Sequence, residues 1–276
     1  MNDDNTIGFH PGNSFIYRVN ATAKLIFFLL VSVACMTTFD TRFLVLVSIL
    51  SIGIYYLSDL KWRQVSFVVK FILFFSILNV IMVFIFSPTY GEKLYGAKTV
   101  LINAGYFTVT SQELFYLLNV ILKYICTVPL ALVFIMTTNP SLFASSLNRM
   151  GISYKVSYAV SLTLRYIPDV QRSYWDISYA QQARGIELSK KGKLLEKLKG
   201  ITNIIIPLIL SSFENIEKIS TAMQLRRFGS KKKRTWYESQ NFRWTDGMVL
   251  LVAVALLLLT FLLFKLNQGR FYNPFN

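Results

Sequence analysis

Long apolar runs dominate this chain, and short polar segments separate them. Residues 25–36, 67–86 and 249–264 contain at most one charged side chain each. A helix that crosses a bilayer core needs about 20 such residues. The pattern predicts five membrane-spanning helices, near residues 24–39, 43–58, 66–87, 114–137 and 246–266. We therefore expect an all-α polytopic membrane protein.

The segment between the fourth and fifth predicted spans has a different pattern. It begins with Asn139 and Pro140, a helix cap and a residue suited to a first helical turn, and a short helix is predicted near residues 141–148. Two amphipathic patterns follow, in which apolar side chains recur every three or four residues and so share one helix face. A lysine-rich connector, predicted over residues 189–199, separates them.

Each amphipathic pattern predicts one long helix with an apolar stripe. The stripe of the first comprises Ile167, Val170, Tyr174 and Ile177, and that of the second comprises Ile209, Phe213, Ile216, Ser220 and Met223. The chain then divides into an N-terminal membrane domain over residues 1–138, a coupling-helix region over 139–243, and a last span with a tail over 244–276.

Charge is concentrated in the coupling-helix region. The chain carries a net charge of +15, and residues 149–243 hold 18 Lys and Arg against 7 Asp and Glu. Such a surface faces anionic lipid, nucleic acid or an acidic protein surface, and lipid headgroups alone satisfy much of it. The excess of positive charge on alternate loops predicts a cytoplasmic N-terminus and coupling-helix region, and an external tail after Lys265.

The residues offer little for catalysis. His10 is the single histidine, and the sequence shows no cluster of His, Cys, Asp or Glu with metal-ligand spacing. Cys35 and Cys126 lie inside apolar runs and are interpreted as reduced, buried thiols. We expect no cofactor and no metal. A membrane enzyme acting on lipid is the weaker alternative, since it needs convergent acidic or histidine side chains.

The two long helices are predicted to end in a similar way. Ala183-Arg184-Gly185 closes the first and Leu225-Arg226-Arg227 closes the second. The helix dipole favours an arginine at a helix C-terminus, and its guanidinium can form two hydrogen bonds with a carboxylate on another protein. Each arginine could instead be a solvated cap residue. Two similar ends in one chain favour docking sites for two similar partners.

These helix ends belong to a set of motifs that resembles a known family. The motifs are Met136-Thr137-Thr138-Asn139-Pro140, Leu164-Arg165-Tyr166-Ile167-Pro168, Ala180-Gln181-Gln182-Ala183-Arg184-Gly185 and Ala222-Met223-Gln224-Leu225-Arg226-Arg227-Phe228-Gly229, with Pro11-Gly12-Asn13-Ser14-Phe15, Arg18 and Ala23-Lys24-Leu25 near the N-terminus. Together they resemble the transmembrane T component (EcfT/CbiQ-like scaffold) of energy-coupling factor transporters, a subgroup of ABC importers.

The resemblance implies a non-catalytic scaffold in the inner or plasma membrane. Its implied partners are two cytoplasmic ABC ATPases, a small membrane-embedded subunit that binds a vitamin or metal ion, and membrane lipid, with no nucleic acid. Ala183, Arg184, Gly185, Leu225, Arg226 and Arg227 are the expected ATPase-docking residues. The family's second motif usually reads Ala-Arg-Gly, so Leu225 and Arg227 depart from it.

A second surface is predicted on the apolar stripes, which are longer than docking at the helix ends requires. We expect Tyr174, Ile177, Phe213, Ile216 and Met223 to contact the substrate-binding subunit. The alternative within transporters is a conventional ABC permease with its own substrate path. A permease is expected to place charges along a cavity inside the membrane, and Lys123 is the main candidate.

Overall fold

A computed structural model describes residues 12, 14–96, 99–102, 108–185, 194–231, 234–238 and 240–275. The expected motif residues Pro11 and Asn13, His10 and the start of the lysine-rich connector lie outside this part. The described chain forms two compact units. We call the residues up to Asn139 and from Gln240 onward the membrane unit, and the residues from Pro140 to Ser239 the hairpin unit.

The membrane unit consists mainly of apolar helices, and the all-α prediction is confirmed. They are α2 (Ala21–Thr37), α3 (Thr41–Leu57), α4 (Trp62–Phe86), α6 (Ser111–Thr137) and α10 (Trp244–Leu266), with a first short helix α1 (Phe15–Arg18). Within the described chain, three of the helices are long and apolar enough to cross a membrane, namely α4 (from Val65), α6 and α10. The helices α2 and α3 are apolar but only 17 residues long, about 25 Å at 1.5 Å per residue.

A small irregular region joins α4 to α6. It contains the short helix α5 (Tyr90–Tyr95) and two strands, β1 (Val100–Ile102) and β2 (Val109–Thr110). The strands pair antiparallel, with Val100 opposite Thr110 and Ile102 opposite Val109. The apolar-run pattern did not predict these strands, because two or three residues are too few for a periodic signal.

The core of the membrane unit lies where α2, α3, α6 and α10 meet. Its fully or almost fully buried side chains are Val31, Ala34, Cys35, Phe43, Leu44, Val47, Cys126, Leu130 and Leu256. Both cysteines are free and buried, as predicted, and Cys126 lies 3.2 Å from the Ser48 hydroxyl. By contrast, α4 exposes most of its phenylalanines, as a lipid-facing helix does.

The hairpin unit contains three helices, α7 (Pro140–Arg149), α8 (Tyr154–Ala183) and α9 (Leu194–Leu225). The helix α7 ends before Gly151, whose φ of 103° belongs to the left-handed region that favours glycine. Ser153 caps α8 by accepting a hydrogen bond from the Val156 N–H. The predicted connector over 189–199 is too long, since the chain is helical from Leu194, where leucine, lysine and glutamate favour a helix.

Candidate docking surfaces

The helices α8 and α9 run antiparallel and contact each other at both ends. Near the end of α8, the Gln181 side-chain amide donates to the Asn203 carbonyl of α9 at 3.2 Å. Near the start of α8, the Tyr158 ring lies 4.7 Å from the Phe228 ring, measured between centroids, just beyond the end of α9. The two predicted arginine ends therefore lie at opposite ends of one helical hairpin.

The end of α8 places Arg184 in an exposed position. Arg184 is the C-cap residue, and its N–H bonds the carbonyls of Ala180 and Gln181. Gly185 follows with a φ of 86° and donates to the Gln182 carbonyl at 2.9 Å. This is the left-handed C-terminal cap that glycine normally supplies, and it stops the helix with the arginine outermost.

The end of α9 has the same backbone geometry with a different residue. Arg226 is its first non-helical residue, and Arg227 adopts a φ of 53°, the conformation that Gly185 has in α8. The Arg227 N–H donates to Gln224 at 2.9 Å and the Phe228 N–H donates to Met223 at 2.9 Å. These two bonds define a Schellman motif. Arg227 therefore preserves the turn that glycine makes in the Ala-Arg-Gly motif. It does so with some backbone strain, because a residue with a side chain disfavours the left-handed region.

A downstream residue that sequence reasoning missed also stabilises the end of α9. The Arg234 guanidinium donates to the carbonyls of Arg227 at 3.1 Å and Arg226 at 3.4 Å. Free carbonyls at a helix C-terminus favour a cation, so Arg234 is a distant cap. The charge run from Lys231 to Arg234 was the available signal, but nothing in it indicated which residue folds back.

Aromatic side chains hold this downstream segment against the start of α8. The Trp236 ring lies 5.4 Å from the Tyr154 ring, and its indole N–H donates to the Asn148 side chain of α7 at 3.2 Å. Burial raises the pKa of Tyr154, and the positive charge of Arg234 partly offsets this rise. The segment after Phe228 thus orients the end of α9 through contacts with both other helices of the hairpin unit.

An apolar groove of about 630 Å³ opens between α8 and α9, between the two end contacts. Its apolar walls come from Ile167 and Val170 on α8 and from Ile216, Ile219 and Met223 on α9. Of the five residues predicted to contact a membrane subunit, Ile216 and Met223 line this groove. Tyr174, Ile177 and Phe213 lie outside it, and Phe213 is 63% exposed.

A second hollow of about 470 Å³ lies on another face of α9, beside the arginine end. Glu214, Glu217 and Lys218 line it together with Leu225, which is 81% exposed. An exposed leucine with charged side chains around it offers both apolar and charged contacts, the arrangement of an apolar centre and a polar rim in a protein interface.

Lys123, the charge expected in a permease pathway, is held inside the helix packing. Its ammonium donates to the Met36 carbonyl of α2 at 2.9 Å and lies 3.2 Å from the centre of the Phe39 ring. It therefore caps the C-terminal end of α2. In the parts of the chain that the structure describes, no three His, Cys, Asp or Glu side chains form a group that could hold a metal ion.

Comparison with known proteins identifies the family. Residues 12–237 match the model of the CbiQ family, described as cobalt transport protein. The energy-coupling factor transporter transmembrane protein EcfT of Exiguobacterium sibiricum is 29% identical over 93% of this chain and 98% of its own length. The proteins of the same name from Brevibacillus brevis and Bacillus subtilis are 27% and 25% identical, over 90% and 97% of this chain and 93% and 100% of their own. This chain therefore belongs to the CbiQ family, as the transmembrane component of an energy-coupling factor transporter.

Proposed function

We propose that this protein couples ATP hydrolysis by two cytoplasmic ABC ATPases to the movement of a membrane-embedded substrate-binding subunit. The scaffold itself is non-catalytic. One ATPase docks at Ala183, Arg184 and Gly185, and the other docks at Leu225, Arg226 and Arg227. The substrate-binding subunit, which carries a vitamin or a metal ion, contacts the apolar stripes. The protein lies in the cell membrane with its N-terminus and hairpin unit on the cytoplasmic side.

The observation that carries this proposal is the position of two similar arginine ends at opposite ends of one helical hairpin. The helix α8 has 30 residues, about 45 Å at 1.5 Å per residue. Because α8 and α9 are antiparallel, Arg184 and Arg226 are separated by roughly this length. That distance is sufficient for two separate protein domains to dock, one at each end.

The mechanism follows from this separation. When ATP draws the two ATPases together, the two arginine anchors are drawn with them. The hairpin can deform, because its helices contact each other at the ends and leave a groove between them. A change in the groove shifts the apolar surfaces that the substrate-binding subunit contacts. Hydrophobic contacts are non-directional, so the substrate-binding subunit can tilt on these surfaces and stay bound.

The position of Lys123 supports a scaffold over a conventional permease. Its ammonium is engaged by the end of α2 and by an aromatic ring, so it serves helix packing. A permease would place such a charge along a substrate path.

Purification in a mild detergent tests the proposal. We expect two ATPase chains and one small apolar membrane protein to co-purify with the full-length scaffold, identified by mass spectrometry. Co-purifying ATPases without a small subunit would favour a permease. Absence of ATPases would contradict the proposal.

A further inference from the structure

The chain leaves the membrane unit after Asn139 and returns to it at Gln240. Any force that the hairpin unit exerts through the backbone must pass through these two crossings. One turn of helix in the membrane unit binds both of them. It is the first turn of α2, from the cap residue Asn20 to Lys24, and we call it the α2 anchor.

Lys24 binds the outgoing crossing. Its ammonium donates to the Thr137 carbonyl at 3.0 Å and to the Thr137 hydroxyl at 3.1 Å. Thr137 is the last residue of α6 and is only 3% exposed. A cation at a helix C-terminus is favoured by the helix dipole, and a charge-assisted hydrogen bond is stronger than a neutral one. This contact therefore fixes the chain two residues before it leaves the membrane unit.

Asn20 and Ala21 bind the returning crossing. The Asn20 side-chain amide donates to the Gln240 carbonyl at 3.0 Å, and the Ala21 N–H donates to the Gln240 side chain at 3.2 Å. The Asn20 N–H also donates at 2.8 Å to Asp246, a fully buried carboxylate near the start of α10. Residues more than 200 positions apart in the chain thus meet at one point.

Helix capping alone does not require this arrangement. The cap of α2 needs only the Asn20 side-chain oxygen, which accepts from the Thr22 N–H at 2.9 Å. The Asn20 side-chain amide, the Ala21 N–H and the Lys24 ammonium are additional donors, and all three are directed at the two crossings. Asn20 is 2% exposed, so its amide donates in a place with little competing water.

We propose that the α2 anchor is the point through which movement of the hairpin unit is transmitted to the membrane helices. This inference rests on the proposed function and adds the residues that carry the coupling. When both crossings are held to α2, a displacement of the two together moves α2 and the helix packed on it, α10. If one crossing is released, the free segment of chain takes up part of that movement, and less of it reaches the membrane helices.

Two substitutions each weaken the contact with one crossing by removing one side-chain donor. Lys24→Met keeps the apolar stem of the side chain and removes the ammonium that holds Thr137. Asn20→Ser keeps a hydroxyl that can cap the Thr22 N–H. It removes the side-chain amide that donates to the Gln240 carbonyl and leaves only the Ala21 N–H bound to Gln240. Lys61→Met is the matched control, since Lys61 is an exposed lysine before the first turn of α4.

The measurement uses the whole complex, purified with its ATPases and placed in lipid nanodiscs, with and without a non-hydrolysable ATP analogue. Spin-label distances are recorded for one pair in the hairpin unit, at Arg172 and Lys218, and one pair in the membrane unit, at Ile49 and Leu251. All four positions are exposed. Cys35 and Cys126 are replaced by serine in every variant.

We expect the analogue to shift both distances in the otherwise unmodified complex and in Lys61→Met. In Lys24→Met and Asn20→Ser, the hairpin pair should still shift. The fraction of complexes in which the membrane pair shifts should fall by about fivefold or more, the lower end of coupling between distant sites.

The inference is wrong if the membrane pair shifts normally in both variants. It is also wrong if neither variant assembles, since the anchor would then hold the fold instead of transmitting movement. A third contradicting result is an analogue that changes the hairpin-pair distance in the unmodified complex and leaves the membrane-pair distance unchanged. If the analogue does not change the hairpin-pair distance in the unmodified complex, the proposed function itself is contradicted.

Discussion

Gly185 and Arg227 occupy the same position in two helix ends, one residue after the C-cap, with φ values of 86° and 53°. In both ends this residue donates its N–H to the helix and turns the chain away, so that the preceding arginine is left exposed. Glycine adopts this conformation without strain, whereas an arginine does so at a cost of about 1–2 kcal/mol. The two ends are therefore equivalent in backbone and differ in side chain.

Because the two ends share one backbone conformation, removing glycine from the first and introducing it into the second should have opposite effects on the free energy of unfolding. Gly185→Ala should lower the free energy of unfolding by about 1–2 kcal/mol, although a Cβ there meets no other atom, because alanine disfavours this φ. Arg227→Gly should be neutral or stabilising by up to about 1 kcal/mol. Thermal unfolding in detergent measures both. Gly53→Ala, in the middle of α3 where a Cβ also has open space, is the control and should stabilise slightly.

The docking proposal predicts that Arg184→Ala and Arg226→Ala each weaken ATPase binding. Loss of one partner of a charge-assisted pair at an interface costs about 2–5 kcal/mol. Affinity is measured by biolayer interferometry with the purified scaffold and ATPases. Arg172→Ala is the matched control, because Arg172 is an exposed arginine of α8 whose ion pair with Asp169, at 3.8 Å, is worth at most about 1 kcal/mol. An intact complex after the double substitution would show that the arginines are not the anchors.

The apolar stripes are tested separately from the arginines. Phe213 and Ile216 are 63% and 59% exposed, so replacing both by Asp should change the surface without disturbing a core. We expect the substrate-binding subunit to be lost on co-purification and the ATPases to be retained. Arg172→Asp is the control, since Arg172 is an exposed residue of the hairpin unit that lines neither hollow. Loss of the ATPases alone would mean that the two surfaces are assigned the wrong way round.

Lys123 should matter for stability and not for transport. Lys123→Met removes the hydrogen bond to Met36 and the contact with Phe39, which should lower the free energy of unfolding by about 1–3 kcal/mol. Thermal unfolding measures this loss. ATP-driven uptake per assembled complex should stay close to the unmodified value. A normal melting temperature together with abolished uptake would instead favour the permease.

The proposed topology predicts the outcome of cysteine labelling in intact cells. With Cys35 and Cys126 removed, a cysteine at position 272, in the tail after Lys265, should react with a membrane-impermeant maleimide added outside. A cysteine at position 232, in the basic run, should react only after the cells are opened. Labelling of position 232 from outside would reverse the orientation.

The sequence by itself determined the apolar helices and the positions at which α8 and α9 end. Apolar runs located all five apolar helices to within a few residues, because burial in lipid or protein leaves a local record in side-chain type. The ends of α8 and α9 were readable for a similar reason, since helix capping involves only neighbouring residues. The connector before α9 was predicted too long, since polar residues that favour a helix resemble a loop when only the apolar pattern is considered.

Only the tertiary structure decided which of these parts meet. Arg234 caps α9, Lys123 caps α2, and Lys24 holds Thr137 across 113 residues of chain. No periodic pattern contains these pairings, because periodicity reports which face of a helix is apolar and not which helix covers it. A lysine near a predicted membrane boundary looks the same in sequence whether it faces lipid headgroups, as Lys61 can, or binds the end of another helix, as Lys24 does. The packing of the helices makes that choice, and it is set by contacts between residues that are distant in the chain.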